Sequence, residues 1–232
     1  MTLDTSASSG AADSAPGWTG AVGAPTRLVL LRHGQTPMSI QRLYSGSASN
    51  PALTDLGHTQ AQAAAEQIAA QAGGKPWNFA GIVASPQLRA QETAQYVAQH
   101  LGLDVDTDED LRETNFGEWE GLTFSQARAK TPDEHMTWLQ DPTVPPPGGE
   151  AFAEVDARVA EARARITQRY GATDVLVVSH VTPIKALLRQ GLAAGFELYT
   201  RLHLDLASIS VAEFYADGPT SVTLINETAH LR

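Results

Sequence analysis

The chain has 232 residues, 42% of them hydrophobic, which fits one large domain or one domain and a tail. It contains no cysteine, which excludes disulfides and thiolate metal sites, and its formal net charge of −10 should repel nucleic acid and anionic membranes. An anionic ligand must therefore meet a local cluster of cations. The sequence shows no apolar run long enough to span a membrane and no secretory signal, so we expect a cytoplasmic protein.

The first 25 residues have the composition of a linker. They are rich in Ser, Ala, Gly, Thr and Pro and show no periodicity. We expect disorder over residues 1–25 and a single domain over 26–232. Such a linker is typical of a domain cut from a longer protein, and a natural tail is the alternative.

Apolar runs predict strands, and periodic segments between them predict helices. The predicted strands cover residues 27–31, 79–84, 104–106, 174–178 and 222–226. The predicted helices cover residues 55–71, 86–100, 123–130, 133–140, 150–170 and 182–190. Thr54 is expected to cap the first helix and Ser85 the second, with Pro86 at its first position.

Strands separated by helices predict an α/β fold. We expect a three-layer sandwich with a mainly parallel central sheet and helices on both faces. The closing strands are expected to add antiparallel pairing.

Cationic and titratable side chains follow three of the predicted strands. Arg32 and His33 come after the first, Arg89 lies one turn into the helix after the second, and His180 follows the third. Because parallel strands end at one edge, these groups should meet in one cleft, where they would neutralise a phosphoryl group. A helix starting near Val181 adds backbone N–H donors.

Each residue alone also has an ordinary structural explanation. Arg89 suits a solvated helix face, His180 a packed strand end and Glu113 a surface carboxylate, while Ser45 and Gly46 suit a turn. Their joint placement favours the functional interpretation, because three strand ends would have to carry such groups by chance.

The run Arg32-His33-Gly34-Gln35-Thr36 resembles the signature of the histidine phosphatase superfamily, also called phosphoglycerate-mutase-like. Segments 50–57, 84–94, 111–121 and 177–180 resemble its other landmarks in the same order. A closer resemblance, carried by 44–46, 146–150, 179–185 and 202–208, is to the phosphatase half of actinobacterial bifunctional ribonuclease H/acid phosphatase proteins, which are related to α-ribazole phosphatase. It implies a phosphoglycerate-mutase-like fold and an N-terminal ribonuclease H domain in the parent chain.

The resemblance implies roles for five residues. His33 is the nucleophile that forms a phosphohistidine, and its other ring nitrogen should donate to a carbonyl. Glu113 donates a proton to the leaving alcohol, while Arg32, Arg89 and His180 hold the phosphoryl oxygens. His180 works best protonated, which a neighbouring phosphate favours. No metal or other cofactor is implied, because these cations supply the positive charge.

Six further residues are expected to contact the substrate, although three depart from the family's usual pattern. Many relatives carry Glu at Gln35, Asn at Ser39 and Gly at Val181. The six are Gln35, Thr36, Ser39, Ser45, Gly46 and Val181.

The function predicted is a metal-independent phosphomonoesterase with a two-step mechanism. Its partner would be a small phosphorylated metabolite, with α-ribazole 5′-phosphate the first expectation; the resemblance is compatible with a homodimer. A phosphoglycerate mutase, a phosphoglycerate or sugar phosphatase, and a non-catalytic phospho-ligand binding module are the alternatives. Five apolar side chains form either the rim of the site or part of the core: Tyr44, Phe116, Trp119, Met136 and Trp138.

Overall fold

A computed structural model of the protein describes residues 20–74 and 77–232. The expected linker over residues 1–25 therefore lies mostly outside the described residues. Residues 20–25 form no helix or strand, and the Val22 N–H donates to the Asp217 carboxylate at 2.9 Å. The first strand begins immediately afterwards, at Thr26.

The described residues form six strands, eight α-helices and three short 3-10 helices. The strands are β1 (Thr26–Arg32), β2 (Phe79–Ala84), β3 (Val105–Thr107), β4 (Asp174–Ser179), β5 (Ile209–Phe214) and β6 (Thr220–Glu227). The α-helices are α1 (Pro37–Ile40), α2 (Asp55–Gly74), α3 (Leu88–Leu101), α4 (Phe124–Lys130), α5 (Pro132–Gln140), α6 (Phe152–Tyr170), α7 (Val181–Leu192) and α8 (Leu198–Arg201). The 3-10 helices are Glu109–Leu111, Gly117–Trp119 and Ala229–Leu231.

One sheet contains all six strands, in the order β3-β2-β4-β1-β5-β6. The first four strands pair in parallel, whereas β5 and β6 add antiparallel pairs at one side. In the register of β1 and β4, Leu31 lies opposite Val178 and Arg32 opposite Ser179. The two strands therefore end at the same level, and the predicted mainly parallel sheet with antiparallel closing strands is confirmed.

Alternate residues of the central strands point to opposite faces of the sheet. Leu28 and Leu30 belong to a core that includes side chains of α6 and α7, while Val29 and Leu31 belong to a second core with α2 and α3. All four leucine and valine side chains are fully buried. Helices thus cover both faces, and the three-layer prediction is confirmed.

The start of α3 differs from the expectation. Thr54 does cap α2, since its Oγ1 accepts from the Gly57 N–H at 3.1 Å. Ser85 does not cap α3, which begins at Leu88 after Gln87. The Ser85 hydroxyl lies 2.7 Å from His180 Nε2 and also accepts from the Gln87 N–H at 3.3 Å. It therefore joins the turn before α3 to the strand end that carries His180.

A buried ion pair joins three helices on one face of the sheet. The Asp156 carboxylate of α6 accepts from the Arg189 guanidinium of α7 at 2.7 and 2.6 Å. It also accepts from the Tyr199 hydroxyl of α8 at 3.1 Å. The carboxylate therefore fixes the positions of α7 and α8, both of which contribute to the cavity described below.

Replacing Asp156 by Ala should lower the free energy of unfolding by about 3 kcal/mol, because it leaves the largely buried Arg189 charge without its anionic partner. Urea denaturation followed by circular dichroism measures this loss. Glu66→Ala is the control, since that carboxylate makes an exposed contact with Gln62 and should change stability by less than about 0.5 kcal/mol. Equal stabilities of the two variants would contradict the prediction.

Candidate active site

The ends of three parallel strands meet at one edge of the sheet. The His33 N–H, just after β1, donates to Ser179 O at 3.0 Å, and the Ser85 N–H, just after β2, donates to Val178 O at 2.9 Å. The His33 and His180 ring centroids are 5.2 Å apart. The structure thus brings together the two histidines that the sequence places 147 positions apart.

The His33 ring has a defined tautomer. Its Nδ1 lies 2.7 Å from the Gly34 carbonyl oxygen. Because a carbonyl can only accept, Nδ1 carries the proton and Nε2 keeps its lone pair. Burial, followed by the charges of Arg89 and Arg32, lowers the pKa of His33 well below its ordinary value. The ring is therefore neutral at pH 7, with a basic nitrogen available.

His180 is neutral in the same surroundings. Its Nε2 lies 2.7 Å from the Ser85 hydroxyl, while its buried Nδ1 has no partner among the described residues. Burial is the main reason that the pKa of His180 lies well below its ordinary value, with smaller effects from Arg89 and His33. The protonated form expected from the sequence would need an anion to come within reach.

Both predicted arginines are anchored by backbone carbonyls. Arg32 Nη1 donates to Leu204 O at 2.5 Å, and Arg89 donates to Ser49 O and Ser45 O, each at 3.1 Å. The Nε atom of each arginine is buried without a hydrogen-bond partner among the described residues. Burial lowers the pKa of Arg89 to about 10, which leaves the guanidinium cationic at pH 7.

The Glu113 carboxylate faces the cavity from a rigid segment. Its Oε1 accepts from the Thr114 N–H at 2.8 Å, and Oε2 lies 3.5 Å from the Thr182 N–H at the start of α7. The side chain is buried but lines the cavity. Glu113 is therefore close to the groups that follow β4.

Two residues that the sequence did not single out hold Glu113 in place. Gln87 Oε1 accepts from the Glu113 N–H at 2.8 Å. Arg158 donates to the carbonyls of Asp110 at 2.6 Å and Arg112 at 2.8 Å, and pairs with the Glu150 carboxylate. Gln87 lies inside a recognised motif, whereas Arg158 lies in an ordinary helical pattern that gave no signal.

A cavity of about 950 Å³ opens beside these groups. Seven predicted site residues line it: Arg32, His33, Thr36, Ser39, Ser45, Glu113 and Val181. Arg89 and His180 are not among the residues that line it, and each is almost wholly buried. The predicted contacts of Arg89 and His180 with phosphoryl oxygens stay predictions.

Gln35 and Gly46, predicted as substrate contacts, do not line the cavity. Gln35 Oε1 accepts from the Thr54 hydroxyl at 2.9 Å, and the Gly46 N–H donates to the Glu120 carboxylate at 2.8 Å. A Cβ at Gly46 would lie 2.3 Å from Thr114 O, so close packing explains the glycine. The polar groups of both residues are thus bonded within the protein.

Thr36 and Ser39 line the cavity and also form a capping box. The Ser39 N–H donates to Thr36 Oγ1 at 3.2 Å, and the Thr36 N–H donates to Ser39 Oγ at 2.9 Å. These bonds stabilise the short helix α1, which lies outside the predicted helices. The capping box therefore fixes one side of the cavity entrance.

Aromatic side chains cover much of the remaining wall. They are Tyr44, Phe116, Phe124, Trp138, Phe152 and Tyr199. Tyr44, Phe116 and Trp138 line the cavity and also belong to the hydrophobic core or pack against it. Trp119 is instead fully buried, with its Nε1 donating to Thr131 at 2.8 Å, and Met136 is 51% exposed outside the cavity wall. Three of the five residues are thus both cavity lining and core, Trp119 is core alone, and Met136 is neither.

Comparison with known proteins agrees with this geometry. The histidine phosphatase superfamily (branch 1) matches residues 28–227, and the chain belongs to this family. Curated relatives of the chain include a phosphatase and a phosphoglycerate mutase.

Two curated relatives come from Mycobacterium tuberculosis. A bifunctional protein is 52% identical over 241 residues, which cover 99% of this chain but 65% of the relative, so the chain spans less than two thirds of its length. A glucosyl-3-phosphoglycerate phosphatase is 40% identical over 169 residues, which cover 69% of this chain and 73% of the relative.

A solved structure shares the fold. It is a mycobacterial glucosyl-3-phosphoglycerate phosphatase in complex with VO3, with 31% identity and a TM-score of 0.77 over 88% of this chain and 100% of that chain.

Within residues 20–74 and 77–232, no helix is both long and apolar enough to cross a membrane.

The His33 ring should stay neutral, with its proton on Nδ1, well below pH 6.5, because burial and two arginine charges oppose protonation. Long-range ¹H–¹⁵N NMR spectra recorded from pH 8 to pH 5.5 report the state of each ring nitrogen. Since the pKa is lowered, the neutral form persists as the pH falls and is lost only at lower pH. The His33→Gln variant assigns the signals, and a titration midpoint at or above 6.5 would contradict the prediction.

Proposed function

We propose that this chain hydrolyses a small phosphomonoester through a phosphohistidine on His33. The observation that carries the proposal is the His33 tautomer: Nδ1 is bonded to the Gly34 carbonyl, so the unprotonated Nε2 belongs to a neutral ring in the cavity wall. A neutral imidazole nitrogen is a competent nucleophile at pH 7. Family membership supports the same chemistry.

In the first step, His33 Nε2 attacks phosphorus while the bond from phosphorus to the ester oxygen breaks. Glu113 gives its proton to the departing alkoxide, which leaves as an alcohol. Arg32 and the backbone N–H groups at the start of α7 stabilise the negative oxygens of the phosphoryl group. Arg89 and His180 complete the set of groups proposed to hold these oxygens, and an approaching anion would favour protonation of His180.

In the second step, water attacks the phosphorus of the phosphohistidine. The Glu113 carboxylate, deprotonated by the first step, takes a proton from that water. The phosphorus–nitrogen bond breaks, inorganic phosphate leaves, and the His33 ring returns to its neutral form. Glu113 begins the next cycle protonated, so the protons balance.

Two alternative functions would use the same site. A phosphoglycerate mutase would return the phosphoryl group to a second hydroxyl, so it would form an isomeric ester rather than free phosphate. A non-catalytic phospho-ligand module would bind esters without turnover. The joint presence of His33 and Glu113 on the cavity wall favours an enzyme.

The substrate is proposed from the cavity wall and the relatives. The aromatic residues Tyr44, Phe116 and Trp138 suit a ring, which supports α-ribazole 5′-phosphate. The relative that is a glucosyl-3-phosphoglycerate phosphatase supports a phosphoglycerate-type ester. An N-terminal ribonuclease H domain in the parent chain, a cytoplasmic location and a homodimer stay predictions, the first supported by the bifunctional relative of greater length.

The His33→Ala variant should lose at least about a thousandfold in kcat, because the covalent step needs its ring nitrogen. Rapid quenching of the wild type with a phosphate-labelled ester should trap acid-labile label on His33. His100→Ala is the control, since His100 is exposed at the end of α3. Normal turnover by His33→Ala would remove His33 from the nucleophilic role.

The Glu113→Gln variant should depend strongly on the leaving group. Alkyl phosphates need protonation of a basic alkoxide, so their kcat/KM should fall by about 100-fold or more, whereas p-nitrophenyl phosphate should lose less than about tenfold. The control is Glu118→Gln, whose carboxylate is exposed and pairs with Lys130. Equal slowing of both kinds of ester would exclude Glu113 as the acid.

A further inference from the structure

We infer that Lys185 forms a second anion-binding subsite, which recognises a carboxylate or a second phosphate on the alcohol part of the substrate. This inference rests on the proposed phosphatase function, since it concerns the same cavity. The sequence did not single out Lys185 as a site residue.

The position of Lys185 follows from helix geometry. Helix α7 begins at Val181, directly after His180, and Lys185 lies four residues further on. Residues four apart share one face of a helix, and both Val181 and Lys185 line the cavity. Four residues rise about 6 Å along the axis. The Lys185 Cα atom is therefore about one helical turn from the start of α7, where the phosphoryl group is proposed to bind.

The hydrogen bonding of Lys185 is incomplete. Its Nζ donates to the Tyr199 carbonyl oxygen at 2.7 Å, which uses one of three ammonium N–H donors. By contrast, the largely buried Arg158 and Arg189 each pair with a carboxylate, at 2.6 Å. Within residues 20–74 and 77–232, Lys185 forms no such ion pair. A ligand anion would supply the missing partner.

The carboxylates that line the cavity are bonded to other groups. Glu113 accepts from the Thr114 N–H at 2.8 Å and is assigned to proton transfer. Asp205 lies 3.0 Å from His203 Nε2 and accepts from Asn226 Nδ2 at 2.9 Å. Neither carboxylate forms an ion pair with Lys185, so the lysine charge is left for a ligand.

The environment of the ammonium group agrees with this use. Burial lowers the pKa of Lys185 to about 8, with the Glu113 charge opposing and the Arg32 charge adding to the effect. A buried cation without an anion is costly, and a bound anion removes that cost. A phosphate ester with a second negative group would therefore bind more tightly than the same ester without that group.

The subsite distinguishes the candidate substrates. α-Ribazole 5′-phosphate has no anionic group besides its phosphate, whereas a phosphoglycerate-type ester carries a carboxylate close to it. The incomplete bonding of Lys185 therefore favours a phosphorylated acid, or a bisphosphate, over a neutral phosphorylated nucleoside.

The test compares kcat/KM for 3-phosphoglycerate and glycerol 3-phosphate, which differ in the carboxylate. The wild type should prefer 3-phosphoglycerate, and Lys185→Gln should reduce that ratio by about 10- to 100-fold, mainly through KM. Lys185→Arg keeps the charge and should retain most of the ratio. Lys130→Gln is the matched control, because Lys130 is exposed and pairs with Glu118. The ratio of kcat/KM for fructose 1,6-bisphosphate to that for fructose 6-phosphate is the corresponding measure for a second phosphate.

The outcomes separate the two ideas. If Lys185→Gln leaves both ratios unchanged, or lowers both members of each pair equally through the lost bond to Tyr199, the subsite is refuted. If the wild type turns over no ester, the phosphatase proposal fails, and calorimetric binding of 3-phosphoglycerate to the wild type and Lys185→Gln still decides the subsite. Equal affinity of the two proteins would overturn it.

Discussion

The parallel pairing of β1 with β4 is the constraint on which the site depends. Its register sets Arg32 opposite Ser179, so both strands end at the same level of the sheet. The following residues, His33 and His180, then meet with ring centroids 5.2 Å apart. Since β2 pairs with the other side of β4 and ends beside Val178, Ser85 reaches His180 from the third strand end. Backbone pairing thus assembles groups that are distant in sequence.

Burial then sets the chemistry of these groups. Desolvation lowers the pKa of His33 and of His180, and the neighbouring guanidinium of Arg89 adds to the effect. A cluster of cations would be unstable around two charged imidazoles, so both rings are neutral at pH 7. The same cations favour an incoming phosphoryl anion. In the proposed mechanism, one electrostatic arrangement therefore keeps His33 nucleophilic and attracts its electrophile.

The remaining residues position the catalytic groups and shape what can enter. Gln87 and Arg158 fix the segment that carries Glu113 through bonds to its backbone and to that of Asp110 and Arg112. Helix α7, whose first turn lies next to Glu113, presents backbone donors at its start and Lys185 one turn later. In the proposed function, this helix combines a site for the phosphoryl group with a site for a second anion, next to an aromatic wall.

The sequence by itself determined the fold class, the alternation of the main strands and helices, and the convergence of Arg32, His33, Arg89 and His180, because hydrophobic periodicity and strand-end position are local signals. The short helices α1 and α8 and the bounds of β5 were not among the predicted elements. It could not show that Gly46 is bonded to Glu120, that Trp119 belongs to the core, or that Ser85 bonds to His180 rather than capping α3. Only the tertiary structure decided these contacts and those of Arg158 and Lys185. Each of these contacts joins residues that are far apart in the chain. The burial of these residues, and the lack of an ion pair at Lys185, arise only when the helices pack on the sheet.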